Sequence, residues 1–208
     1  MTTTFFLRNE APPILGGASS GKKLLDDVRG KSAVSKITTA TVSGTNIPVT
    51  DTAGGMTLTW YSEPLQPVTI SGTVTVNLRG LESATTVNAG FGILLERTRA
   101  DGFVLGTIIA DTTVPSAITE LSTSDAAVVG TYTPTSTAMS IGDRLKLTVK
   151  IRNVGTMAAG TVTLSIAGPT GGAAGDSFIT LTEIIRAYSD VMSSAWSGAS
   201  QGGISGWW

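Results

Sequence analysis

Val68-Thr69-Ile70-Ser71-Gly72-Thr73-Val74-Thr75-Val76-Asn77-Leu78 is the stretch that decides the fold. Val68, Ile70, Val74, Val76 and Leu78 fall on one side, and Thr69, Ser71, Thr73, Thr75 and Asn77 on the other. Successive side chains of a strand point to opposite faces, so this period of two marks a sheet with one face in a core and one face polar. The pattern returns at Leu145, Leu147, Val149 and Ile151, which alternate with Arg144, Lys146, Thr148, Lys150 and Arg152. It returns again at Val162, Leu164 and Ile166 against Thr161, Thr163 and Ser165.

Outward from these three segments, further strands are expected over Thr2–Arg8, Ser35–Val42, Met56–Trp60, Gly90–Arg99, Phe103–Ala110, Ala126–Thr133 and Phe178–Ile185. Turn residues separate them. Asp101-Gly102 predicts a two-residue hairpin turn, because Asp and Gly tolerate positive φ. Gly142-Asp143 turns the chain into the strand that starts at Arg144. Lys22–Arg29 suits one or two helical turns, stopped by Gly30. Many short strands at close spacing, with no alternating helices, predict an all-β antiparallel sandwich of about 8–10 strands, a jelly roll with extended N- and C-terminal arms. The expected division is an N-terminal arm and loop over 1–33, the sandwich over 34–186 and a Gly/Ser/Trp tail over 187–208.

The 208 residues include no His and no Cys, and net charge is −1 with 14% charged residues. A His-based triad, a thiol nucleophile and an imidazole or thiolate zinc site are therefore excluded. So little charge gives no electrostatic case for nucleic acid or an anionic membrane. No apolar run is long enough for a membrane-spanning helix, and Met1–Phe6 lacks the pattern of a secretory leader. Thr, Ser, Asn and Gly stand in for charge on the surface, and a surface that repels neighbours weakly suits an assembly.

Gly16-Gly17-Ala18-Ser19-Ser20-Gly21-Lys22-Lys23 nearly matches a phosphate-binding loop, but Lys23 stands where a Mg²⁺-binding hydroxyl is needed. It reads as a surface loop. The acidic residues are scattered, and a glycoside hydrolase pair cannot be assembled from them by spacing. No cofactor is expected. The tail carries Trp196, Trp207 and Trp208. Trp is enriched where surfaces dock, so the candidate interface residues are Phe5, Phe6 and Leu7 at one end and Tyr188, Trp196, Trp207 and Trp208 at the other. Tyr61 and Tyr132 are candidate sugar platforms, whereas Trp60 shares a face with Met56 and Leu58 and is expected in the core.

The succession Leu58-Thr59-Trp60, Pro64-Leu65, Val68 to Thr73, Leu81-Glu82-Ser83, Ala89-Gly90 and Glu96 to Gly102 resembles the jelly-roll structural proteins of tailed-bacteriophage virions. Ser140 to Leu145, Gly168-Pro169-Thr170 and Gly175 to Leu181 fit the same picture. The resemblance implies a non-enzymatic virion protein made in the bacterial cytoplasm. Head decoration (cement) is its first form, a homo-oligomer such as a trimer held on the major capsid protein or other virion proteins. A carbohydrate- or receptor-binding module of a tail, baseplate or fibre is the alternative.

Overall fold

A computed structural model describes residues 1–10, 22–27, 35–39, 42–44, 57–115, 117, 119–166 and 176–188. Every named element is a strand: β1 (Thr3–Leu7), β2 (Lys22–Asp26), β3 (Ser35–Thr38), β4 (Val42–Gly44), β5 (Thr57–Ser62), β6 (Val68–Ile70), β7 (Val74–Glu82), β8 (Ala89–Thr98), β9 (Val104–Val114), β10 (Ala126–Tyr132), β11 (Thr137–Met139), β12 (Arg144–Asn153), β13 (Met157–Gly160), β14 (Val162–Ile166) and β15 (Phe178–Leu181). The chain is all-β. Eleven strands join in one sheet, and β6–β11 and β4–β13 form two small ribbons.

β7 is the hub of the sheet. One of its edges pairs with β10 along Val74–Gly80. The other is shared end to end, by β15 at Val74–Asn77 and by β14 at Arg79–Glu82. From β15 the sheet runs on through β1, β2, β5, β12 and β8 to β9. It then folds over itself. Thr135 N donates to Ile108 O at 2.9 Å, and the Tyr132 hydroxyl donates to Thr113 O at 2.5 Å, so the β9 edge meets the β10 edge. Between the two layers lies one apolar core, with Trp60, Phe91, Leu95, Leu145, Leu147 and Val149 from one side and Val74, Val76, Leu78, Leu164 and Ile179 from the other. Phe91 of β8 spans the gap to β7, where a Cβ on Gly80 would stand 2.6 Å from its ring. Such interdigitation gives an interior its density.

The deciding stretch holds its alternation, yet it is two strands. Ser71 N and Gly72 N both donate to the Glu183 carboxylate, at 2.8 and 2.5 Å. A Cβ on Gly72 would lie 1.9 Å from Thr182 Oγ1, so only glycine lets the chain after β15 pass this close. Ile70 and Val74 have the same parity and both face the core, which is why the break is silent in the hydrophobic pattern.

Three local readings are corrected. Lys22–Asp26 is a strand, because β2 pairs with β1 and, in parallel, with β5, and those ladders outweigh a short helical tendency. That parallel pair also makes the sheet mixed. The β8–β9 turn has three residues, 100–102: Arg99 N donates to Phe103 O at 2.9 Å, and Gly102 takes a φ of 88°. The polar alternates of β12 are mostly covered. Arg144, Thr148 and Lys150 are buried by the neighbours with which they pair.

Candidate functional site

Strand β8 delivers its C-terminal end to a corner where three chain segments meet. In the hairpin after β8, the Asp101 carboxylate accepts from Phe103 N at 3.0 Å and from Arg99 Nη2 at 3.0 Å. The bond from the Phe103 backbone, reinforced by Arg99, holds the Asp101 carboxyl below its usual range. The Arg99 guanidinium lies 4.8 Å over the Phe103 ring. Despite that contact Phe103 is 61% exposed, and Val104 and Leu105 beside it are exposed as well.

The second segment is the turn 140–143 before β12. Asp143 is buried, and its Oδ2 accepts from Ser140 N at 2.7 Å and from Arg97 Nε at 2.6 Å. Arg97 Nη2 reaches Ser140 Oγ at 3.2 Å. Charge-assisted bonds of this kind are about twice as strong as neutral ones, so Arg97 of β8 pins the turn to the hairpin strand. Ile141 at its tip is 59% exposed.

The third segment brings Pro64-Leu65-Gln66 against Arg186-Ala187-Tyr188. Leu65 N donates to Asp143 O at 2.8 Å, Gly142 N to Leu65 O at 3.0 Å and Tyr188 N to Pro64 O at 2.7 Å. Phe103, Val104, Leu105, Ile141 and Tyr188 thus form an exposed apolar rim at one end of the sandwich, on a frame tied by Arg97 and Asp143. Apolar groups that cluster on a surface mark contact sites more often than scattered ones do.

The outer face of β5–β12–β8–β9 is different. Lys146 Nζ meets Glu96 Oε2 at 2.7 Å, and Lys150 and Arg152 reach across β8 to Asp111 at 3.2 and 2.5 Å. Lys22 lies 5.4 Å over the Tyr61 ring. Arg144 Nη1 donates to Ser62 O at 2.7 Å, and burial lowers the pKa of its guanidinium. The Lys146–Glu96 pair ties β12 to β8, and Lys150 and Arg152 tie it to β9 through Asp111.

The residues singled out in the sequence separate in the structure. Phe5 and Leu7 are in the core, because β1 is an interior strand between β15 and β2. Phe6 is half-buried, edge-on to Phe178 with ring centroids 5.9 Å apart. Tyr188 belongs to the rim; Trp196, Trp207 and Trp208 lie outside the described residues. Trp60 is buried, and its Nε1 donates to Arg8 O at 2.9 Å. Tyr61 is only 5% exposed, with the Lys22 ammonium over its ring and Lys146 as its cross-strand pair, and burial raises its hydroxyl pKa. The Tyr132 hydroxyl is spent on Thr113 O, with its pKa pushed up to about 12 by burial. Phe103 and Ile141 were missed; the signal for each was a large apolar residue beside the turn glycine.

Comparison with known proteins shows the fold. Neither a family model nor a curated protein sequence matches the chain. Among solved structures, an α-amino acid ester hydrolase superposes with a TM-score of 0.54 and 16% identity, over 89% of this chain and 36% of that one. A CocE/NonD family hydrolase from Staphylococcus aureus gives 0.54 and 11%, over 88% and 36%. An aminopeptidase from a marine sediment Thaumarchaeota archaeon gives 0.55 and 12%, over 90% and 37%. The chain spans about a third of the length of these proteins.

These likenesses correct the functional expectation. Infectious bursal disease virus capsid chains score 0.27–0.30 and a xylan-binding CBM22 domain 0.29, too low to argue from. The sandwich is shared at a meaningful level with hydrolases. A virion decoration protein, a sugar- or receptor-binding module and a chain with no place in an enzyme are therefore not upheld. The physical reason is that alternating strands specify a sandwich, and unrelated proteins use sandwiches for unrelated work.

Proposed function

We propose that this β-sandwich is one module of a hydrolase, docked through its apolar rim on the body that carries the catalytic groups. The observation that carries the reading is the coverage: nearly all of this chain superposes on about a third of three hydrolytic enzymes. The residues agree with it. With no His and no Cys, the chain has no imidazole to activate a nucleophile and no thiolate to act as one. Chemistry of the acyl-transfer kind belongs to the remainder of the enzyme. What this module contributes is a rigid wall, presented by Phe103, Leu105 and Ile141 and braced by Arg97–Asp143.

The substrates to try are an α-amino acid ester, after the name of the first of those enzymes, and an amino acid anilide as a chromogenic probe for aminopeptidase action, after the name of the third. Tagged protein is isolated from its native source with everything joined or bound to it, and the rate of hydrolysis is measured. Material carrying Phe103→Asp and Ile141→Asp together should lose activity by about tenfold or more, with the unfolding midpoint of the sandwich unchanged. Native material that hydrolyses neither substrate, or a charged rim that leaves the rate alone, overturns the proposal.

A further inference from the structure

The end of the sandwich opposite the rim holds a carboxylic acid in an unusual place. β7 turns Val74, Val76, Leu78 and Gly80 toward the core, and the next residue in that series is Glu82. It is 1% exposed. Glu82 Oε2 accepts from Ala89 N at 3.0 Å, the first residue of β8. Glu82 Oε1 is buried and has no hydrogen-bond donor. Glu120, one residue before Leu121, brings a second carboxyl whose charge acts on this one. Two ionised carboxyls present only acceptors to each other, and a single proton converts the contact into a hydrogen bond.

Glu120 belongs to the segment 119–122, which crosses this end of the sandwich between β9 and β10. The segment is fastened by Glu82 N donating to Ser122 O at 3.0 Å and Leu121 N donating to Ala89 O at 2.8 Å, and it buries Leu121. No cation balances the pair among the described residues. The loop 83–88 and the start of β8 carry no charged side chain, and β14 faces Glu82 with Val162. Arg152, opposite Gly90 on β12, is engaged by Asp111, and Arg79 on β7 donates to Asp125 O.

We propose that Glu82 and Glu120 form a proton-dependent clasp: one shared proton fastens segment 119–122 over the end of β7 and β8, and loss of that proton releases it. Burial first, and Glu120 with it, raises the Glu82 carboxyl above the ordinary range, while the Ala89 bond pulls the other way. The closed form is therefore the acidic one. Release uncovers Leu121 and the Ala89 carbonyl without unfolding the sandwich. The clasp stands on its own residues and does not depend on the docking of the rim.

Hydrogen exchange of the whole protein, read on peptides covering 119–125 and corrected for intrinsic rates, tests this. From about pH 5 to about pH 8 the corrected exchange of the Leu121 amide should rise by about tenfold or more, while β12 amides stay constant. In Glu82→Gln, which keeps the shape and can donate to Glu120 at any pH, the rise should vanish. In Glu120→Gln, at an exposed position, the amide can likewise donate to the Glu82 carboxylate at any pH, so the rise should vanish there too. A pH profile unchanged in either variant, or a rise shared equally by β12, overturns the clasp.

Discussion

Strand β8 ends in opposite ways. At its Thr98 end, Arg97 and Asp143 bring unlike charges to 2.6 Å and hold large apolar side chains out in water. At its Ala89 end two acids, Glu82 and Glu120, stand beside a buried Leu121. The first fastening needs no proton and leaves a surface free for a partner. The second is conditional and covers its apolar residue itself. One strand thus carries a permanent brace and a conditional one, and the difference lies in the sign of the charges rather than in the packing between them.

Three measurements would break or sharpen that contrast. The largest effect should come from Phe91→Ala, two residues into β8 from its Ala89 end. It removes the ring that reaches Gly80 and should cost about 3–5 kcal/mol in urea unfolding, loosening both ends together. If one end keeps its exchange protection while the other melts, the two are not coupled through β8. Next is Asp143→Ala, which strands Arg97 and the Ser140 amide. A loss of about 1.5–3 kcal/mol is expected, the range for hydrogen bonds to a charged group, with a greater opening of the 140–143 turn than of segment 119–122. A stability unchanged within error would mean that the brace is ornamental.

The smallest effect is the pH dependence of global stability. The folded-state pKa of Glu82 is raised above its unfolded value, so the unfolded chain releases that proton more readily. The contribution is then fully present below the unfolded carboxylate range and is lost as pH rises through the folded value. Urea midpoints of the native protein should fall slightly from mildly acidic to neutral pH, and those of Glu82→Gln should not. Equal slopes would remove the titration from Glu82.

Much of the architecture was legible because it rests on period two. Val74, Val76 and Leu78, and again Leu145, Leu147 and Val149, went to the core as their alternation required. The interruption at Gly72 was not legible, since Glu183 and Thr182 cause it from more than a hundred residues away. β2 was misread for the same kind of reason: its parallel partner β5 lies more than thirty residues downstream, beyond any local signal. Tyr61 is buried (5% exposed) where Lys22 of β2 meets its ring and Lys146 of β12 pairs beside it, on two strands far from it in sequence. The rim was half legible, since Asp101-Gly102 and Gly142-Asp143 gave the turns but nothing local said that they share a corner. Glu82 shares the parity of Val76 and Leu78, which places it inward, but nothing local to β7 brings Glu120 to it.

The place of β1 has a consequence for how the polypeptide is made. Thr3–Phe6 bond to Phe178–Leu181, so the first strand of the sandwich must wait for the last before their ladder closes. Until then β7 and β1 lack β15, the strand that lies between them, and the layer that holds Phe5 and Leu7 is incomplete. Such distant pairings slow folding and leave sheet edges open to other chains. A nascent sandwich of this design is therefore at its most sticky just before synthesis reaches β15, and it gains its barrier against misassembly in one late step.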